Sequence, residues 1–75
     1  MNERPAELKK LSAIATDLGF NADLRTKAIE QMGNATSQEA LLALLELAAN
    51  DQLTVREREL ALKQAQKIIR SSQSK

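Results

Sequence analysis

From Ala40 to Ala49 the chain reads Ala-Leu-Leu-Ala-Leu-Leu-Glu-Leu-Ala-Ala, with Glu46 as its only polar residue. Extended to Ser37–Asn50, the stretch has the length and composition of one helix, and a helix this apolar cannot be wetted along half its circumference. At about 100° per residue, Ala40, Leu41, Leu44, Leu47 and Ala48 share one face, and Leu42, Leu45 and Ala49 form a second flank beside it. Glu39, Glu46 and Asn50 mark the one wet strip. The helix has to be enclosed from more than one side.

The means of enclosing it are limited. A chain of 75 residues is one small domain and hides only roughly 60% of its unfolded surface. With no cysteine, histidine or tyrosine, neither disulfides nor the usual metal ligands can staple the fold. What remains is packing, or association with another surface.

The flanking segments read as three further helices, at about 5–18, 22–32 and 55–70, around the central one at 37–50. Met1–Arg4 is a leader, and Pro5 suits a first helical turn, where no N–H is needed. Leu8, Leu11, Ile14, Ala15 and Leu18 recur at helical spacing, and Gly19 stands where a left-handed residue ends a helix. Phe20, the one aromatic residue, falls in the turn and is expected to plug the end of the core. Asn21 caps a second helix carrying Leu24, Ala28, Ile29 and Met32, which stops at Gly33-Asn34. Thr36 with Glu39, and Thr54 with Glu57, have the spacing of capping boxes for the third and fourth helices. The fourth turns Val55, Arg58, Ala61, Leu62, Ala65, Ile68 and Ile69 toward one side. Ser71–Lys75 has no apolar residue and reads as a disordered tail. The fold class is all-α, four helices arranged as two antiparallel helical hairpins.

Slid over itself at an offset of 31, the chain places Leu11, Ile14, Leu24 and Arg25 on Leu42, Leu45, Val55 and Arg56. The run Asp23-Leu-Arg-Thr-Lys-Ala28-Ile-Glu-Gln-Met32-Gly resembles the second helix of the short HEAT-type repeats found in phycobilin-lyase-like proteins. There an aliphatic-Arg pair, an Ala three residues on and an aliphatic-Gly ending recur. Residues 37–56 resemble the first helix and turn of a following unit. The second copy departs from the pattern at Glu59 and Lys63. The resemblance implies a HEAT-like pair of hairpins, with a closed four-helix bundle as the alternative. It also implies that Arg25 and Arg56 tie helix starts to inter-helix turns, with partners such as Asp51.

Catalytic chemistry has no foothold in these residues. Glu57 and Glu59, two apart on a helix, point to different sides, and Ser and Thr have no histidine to activate them. There is no phosphate-binding loop, dinucleotide fingerprint or metal-ligand spacing. The chain is therefore expected to be non-enzymatic, without cofactor, metal or small-molecule substrate. No apolar run approaches the ~18–20 residues that span a bilayer, and the N-terminus lacks the apolar segment of a signal peptide, so the expectation is a cytoplasmic protein with no membrane partner.

Two surfaces remain as candidates. Leu42, Leu45 and Ala49, with Leu60 stranded on the polar side of the fourth helix, form a candidate protein interface. A homodimer is the expected occupant, and the function an interaction module or small scaffold. Net charge is only +1, yet from Arg56 onward six basic residues face two acids. Arg56, Lys63, Lys67 and Arg70 fall within about 60° of arc on the fourth helix. This stripe is the alternative functional surface, for an acidic partner or the phosphates of a nucleic acid.

Overall fold

The computed structural model describes residues 4–73, with side chains from 7 to 71. Residues 1–3 of the leader and 74–75 of the tail lie outside the described residues. Helices α1 (Arg4–Thr16), α2 (Ala22–Asn34), α3 (Gln38–Ala48) and α4 (Val55–Gln73) follow one another without a strand among the described residues. No helix among them is long and apolar enough to cross a membrane.

Helices α1 and α2 form one hairpin and α3 and α4 the other. The second hairpin is stacked on the first, chiefly through α4 on α2, while α1 touches α3 sparingly and, among the described residues, does not meet α4. The Cα envelope of 38 × 29 × 17 Å is accordingly flat. The core runs through all four helices: Ala15, Ala28, Ile29, Met32, Ala40, Leu44, Leu47, Ala61, Ala65 and Ile68 are buried, with Leu53 of the second turn beneath them. At its centre lie Ile29, Met32 and Leu44, the largest side chains fully closed to solvent.

Several helix ends depart from expectation. Helix α1 stops at Thr16, because the Asp17 carboxylate accepts the Gly19 N–H at 2.8 Å and turns the chain early. Gly19 is not left-handed. Leu18 is consequently exposed, and Phe20 is 39% exposed rather than a plug. Helix α2 continues through Gly33, which is buried and has no positive φ. It serves close approach instead: a Cβ built there would lie 2.8 Å from Cδ and 2.9 Å from Cβ of Gln64 on α4.

Ser37, not Thr36, caps α3, its hydroxyl accepting the Ala40 N–H at 3.1 Å. Thr36 takes the left-handed turn between α2 and α3, at φ 47°. The Thr54–Glu57 capping box is present as read, with Thr54 N to Glu57 Oε1 and Glu57 N to Thr54 Oγ1 both 3.1 Å. Helix α4 runs past Arg70 to Gln73, since residues 71–73 contain neither Gly nor Pro to stop it. Its buried side is also rotated from the expected one. Glu57, Ala61, Ala65 and Ile68 face inward, while Val55, Leu62 and Ile69 are exposed.

Candidate functional site

The two hairpins are locked together at their helix starts. Arg25 is buried on the first turn of α2 and donates from Nε to Glu57 Oε2 at 3.0 Å, with Nη2 2.8 Å from the same oxygen. Its Nη1 donates to the carbonyl of Phe20 at 2.6 Å. Glu57 divides its carboxylate between this arginine and the cap of its own helix. Burial raises its pKa, but the Arg25 hydrogen bond, the Thr54 N–H and the Arg25 charge outweigh that and hold it below its ordinary value. The arginine does tie a helix start to a turn, but its acidic partner is Glu57 rather than Asp51. Only the capping-box spacing, which fixes Glu57 near the α4 start, offered a signal for it.

This geometry corrects the register of the repeat. Helix α2 starts at Ala22 and α4 at Val55, an offset of 33 rather than 31. In that register Asn21 matches Thr54 as cap, and Arg25 matches Arg58. Buried Ala28 and Met32 match buried Ala61 and Ala65, and half-buried Leu11 and Ile14 match Leu44 and Leu47. The counterpart of Arg25 is thus Arg58, not Arg56. Arg58 is half-buried, and its Nε is closed to solvent with no hydrogen-bond partner. Arg25 has Glu57 of the neighbouring hairpin, whereas among the described residues no carboxylate meets Arg58 Nε.

The same register identifies an outer face. On the first hairpin, Lys9 and Ser12 line a cleft against Glu39 and Ala43 of α3. Ile29 is fully buried, and Gly33 is pressed on Gln64. Carried onto the second hairpin at this offset, these positions become Leu42, Leu45, Leu62 and Gln66. Among the described residues none covers them: Leu42 is 54% exposed, Leu45 40% and Leu62 45%. Val55 and Ile69 follow on the same side of α4 at seven-residue spacing, and Ala49 is exposed at the end of α3. Three of the four matched positions are therefore leucines on the open hairpin; on the stacked one they are exposed Lys9, half-buried Ser12 and buried Ile29.

Of the residues singled out in the sequence, Leu42, Leu45 and Ala49 share this face. Leu60 does not join them. It is half-buried against the core and borders a different cleft, between α2 and α4, alongside Thr26 and Glu30. Val55, Leu62 and Ile69 join instead. They were missed because helical projection assigned them to the core, and a projection cannot tell an inner flank from an outer one.

Arg56, Lys63, Lys67 and Arg70 are all exposed along one side of α4. Lys67 Nζ donates to Asn34 Oδ1 at 2.9 Å. Arg56 and Lys63 border the α2–α4 cleft together with the acids Asp23, Glu30 and Glu59. No group of three or more side chains suited to holding a metal ion occurs among the described residues. No known family matches the chain, and neither a curated protein nor a solved structure matches it.

Proposed function

We propose that this chain is a non-enzymatic, HEAT-like helical-hairpin interaction module of the cytoplasm that self-associates through the outer face of its second hairpin. One observation carries the reading. Leu42, Leu45 and Leu62, with Val55 and Ile69, lie exposed on one side of the second hairpin, and the repeat offset maps Leu62 onto Ile29, which the stacking of the hairpins buries. Contiguous apolar surface on a small domain marks a contact site, because its burial is worth roughly 25 cal/mol per Å².

The test is a pair of single variants, Leu42→Glu and Leu62→Glu. Both side chains are already half in solvent, so helical content by circular dichroism stays at the wild-type level while the particle mass falls to that of a monomer. An unchanged assembly state in both variants would refute the reading.

The alternative, a nucleic-acid accessory role for Arg56, Lys63, Lys67 and Arg70, has weaker support. Asn34 engages Lys67, and Glu30 and Glu59 lie beside Arg56 and Lys63. Binding that weakens steeply with salt is its signature.

A further inference from the structure

The manner in which two copies meet, an inference that rests on the self-association just proposed, follows from the rims of the outer face. Across the second hairpin, Leu41 of α3 and Ile68 of α4 line one shallow cavity. The same cavity is lined by Ser37 and Gln38 at the α3 start and by Ser71 of α4, so with the two helices antiparallel Leu45 stands at about the level of Gln64, and Glu46 at about that of Lys63. Glu46 is exposed on the α3 rim of the face, on the side away from α4. Lys63 is exposed on the α4 rim, on the side away from α3. The leucine face thus has one acidic and one basic edge at the same height.

We infer that the face takes a second copy of this chain about a twofold axis running along the helices, so that α3 of each copy lies over α4 of the other. Such an axis preserves height and exchanges the edges. Glu46 then faces the partner's Lys63, while Leu42 and Leu45 meet the partner's Leu62 and Ile69. A twofold axis across the helices would set α3 on α3, with Glu46 against Glu46 and Lys63 against Lys63, and like charges at a contact are repulsive. Of the acids near the basic edge, Glu59 is level with Asn50 and so lies beyond the end of the partner's α3, while Asp23 and Glu30 stand on the α2–α4 cleft.

Head-to-tail stacking is the remaining arrangement, and the far end of the molecule argues against it. Subtracting 33 from Leu60, Gln64 and Glu57, which meet the first hairpin, gives Lys27, Gln31 and Leu24 on the opposite surface of the stack. All three are exposed, and only Leu24 is apolar. Head-to-tail stacking would therefore set the partner's leucine face on Lys27 and Gln31 rather than on apolar side chains. The apolar face is left to pair with itself, giving a closed isologous dimer.

The chain contains no cysteine, so site-directed crosslinking has no background. Glu46→Cys and Lys63→Cys are prepared separately, and their mass is measured under reducing conditions by sedimentation. Each is then treated with a short bismaleimide, alone and after mixing. The expected result is a dimeric mass for both and a crosslinked dimer that forms in the mixture but in neither variant alone. Crosslinking of Glu46→Cys with itself, or a dimer that crosslinks in no combination, overturns the α3-on-α4 pairing while leaving self-association standing. A monomeric mass for both variants overturns the pairing together with the reading beneath it.

Discussion

Arg25 and Glu57, one on each hairpin, meet through a 2.8 Å ion pair that is almost closed to solvent, and each also holds a backbone group at a helix start or turn. The contact therefore sets the stacking of α4 on α2 as well as contributing to stability. Taking one charge away leaves the other buried and unpaired, which costs more than the pair itself is worth.

Glu57→Gln is accordingly expected to destabilise the chain by about 3 kcal/mol, read from urea denaturation at fixed protein concentration. The effect has a definite pH signature. The folded-state pKa of Glu57 lies below its ordinary value of 4.5, so the stabilisation is full above that value and is lost as pH falls through the folded pKa. Wild type and Glu57→Gln converge on acidification below about pH 4.5 and stay a constant distance apart above about pH 6. A gap that widens toward acid would contradict the assignment.

Gly33→Ala tests whether that glycine serves close packing or helix termination. Alanine in a helix interior is favoured over glycine by roughly 0.5–1 kcal/mol, so a free position would gain stability. Here the new methyl group meets the Gln64 side chain, including its Cβ at 2.9 Å, where trimming the amide brings no relief. A net loss of about 1–3 kcal/mol is expected, and combining it with Gln64→Ala recovers only part.

Thr36 predicts the opposite sign. A β-branched residue at φ 47° bears about 1–2 kcal/mol of backbone strain that glycine does not. The side chain is exposed, so Thr36→Gly removes no buried contact. Its denaturation midpoint should rise, by about 1 kcal/mol in stability. A fall would show that the threonine contributes something the strain argument omits.

Charge reversal examines the rims independently of crosslinking. Glu46→Lys on its own places like charges opposite each other twice in a twofold dimer and should weaken it about tenfold at low salt. Adding Lys63→Glu to the same chain restores opposite charges and should recover most of the loss. High salt should compress both effects. Equal weakening by the single and double variants would show that the two residues do not face each other.

The number and order of helices were legible in the sequence because apolar spacing and caps such as Asn21 and Thr54 act locally. The leucine face was legible for a related reason: Leu42 and Leu45 leave one helix two-sided in a chain too short to surround it. What escaped was set by contacts between distant residues. Gly33 looked like a stop signal because its function depends on Gln64, on a helix of the other hairpin. Thr36 looked like a cap because its neighbour Ser37 offers an equivalent hydroxyl at the next position. The offset of 31 rather than 33 arose from aligning Leu24-Arg25 with Val55-Arg56, an identity of letters. The burial of Glu57 and the cap hydrogen bonds place Arg58 in the equivalent position. That correction turns Val55, Leu62 and Ile69 from presumed core into the open face.

Sedimentation equilibrium of the unmodified chain across a wide concentration range, followed by refractive index because the sequence has neither Trp nor Tyr, tests the central claim most directly. A concentration-dependent rise to twice the 8.3 kDa chain mass, with no larger species, is the result predicted by a closed dimer on the Leu42/Leu45/Leu62 face. A single species at 8.3 kDa up to the highest concentration, with full helicity, would contradict it.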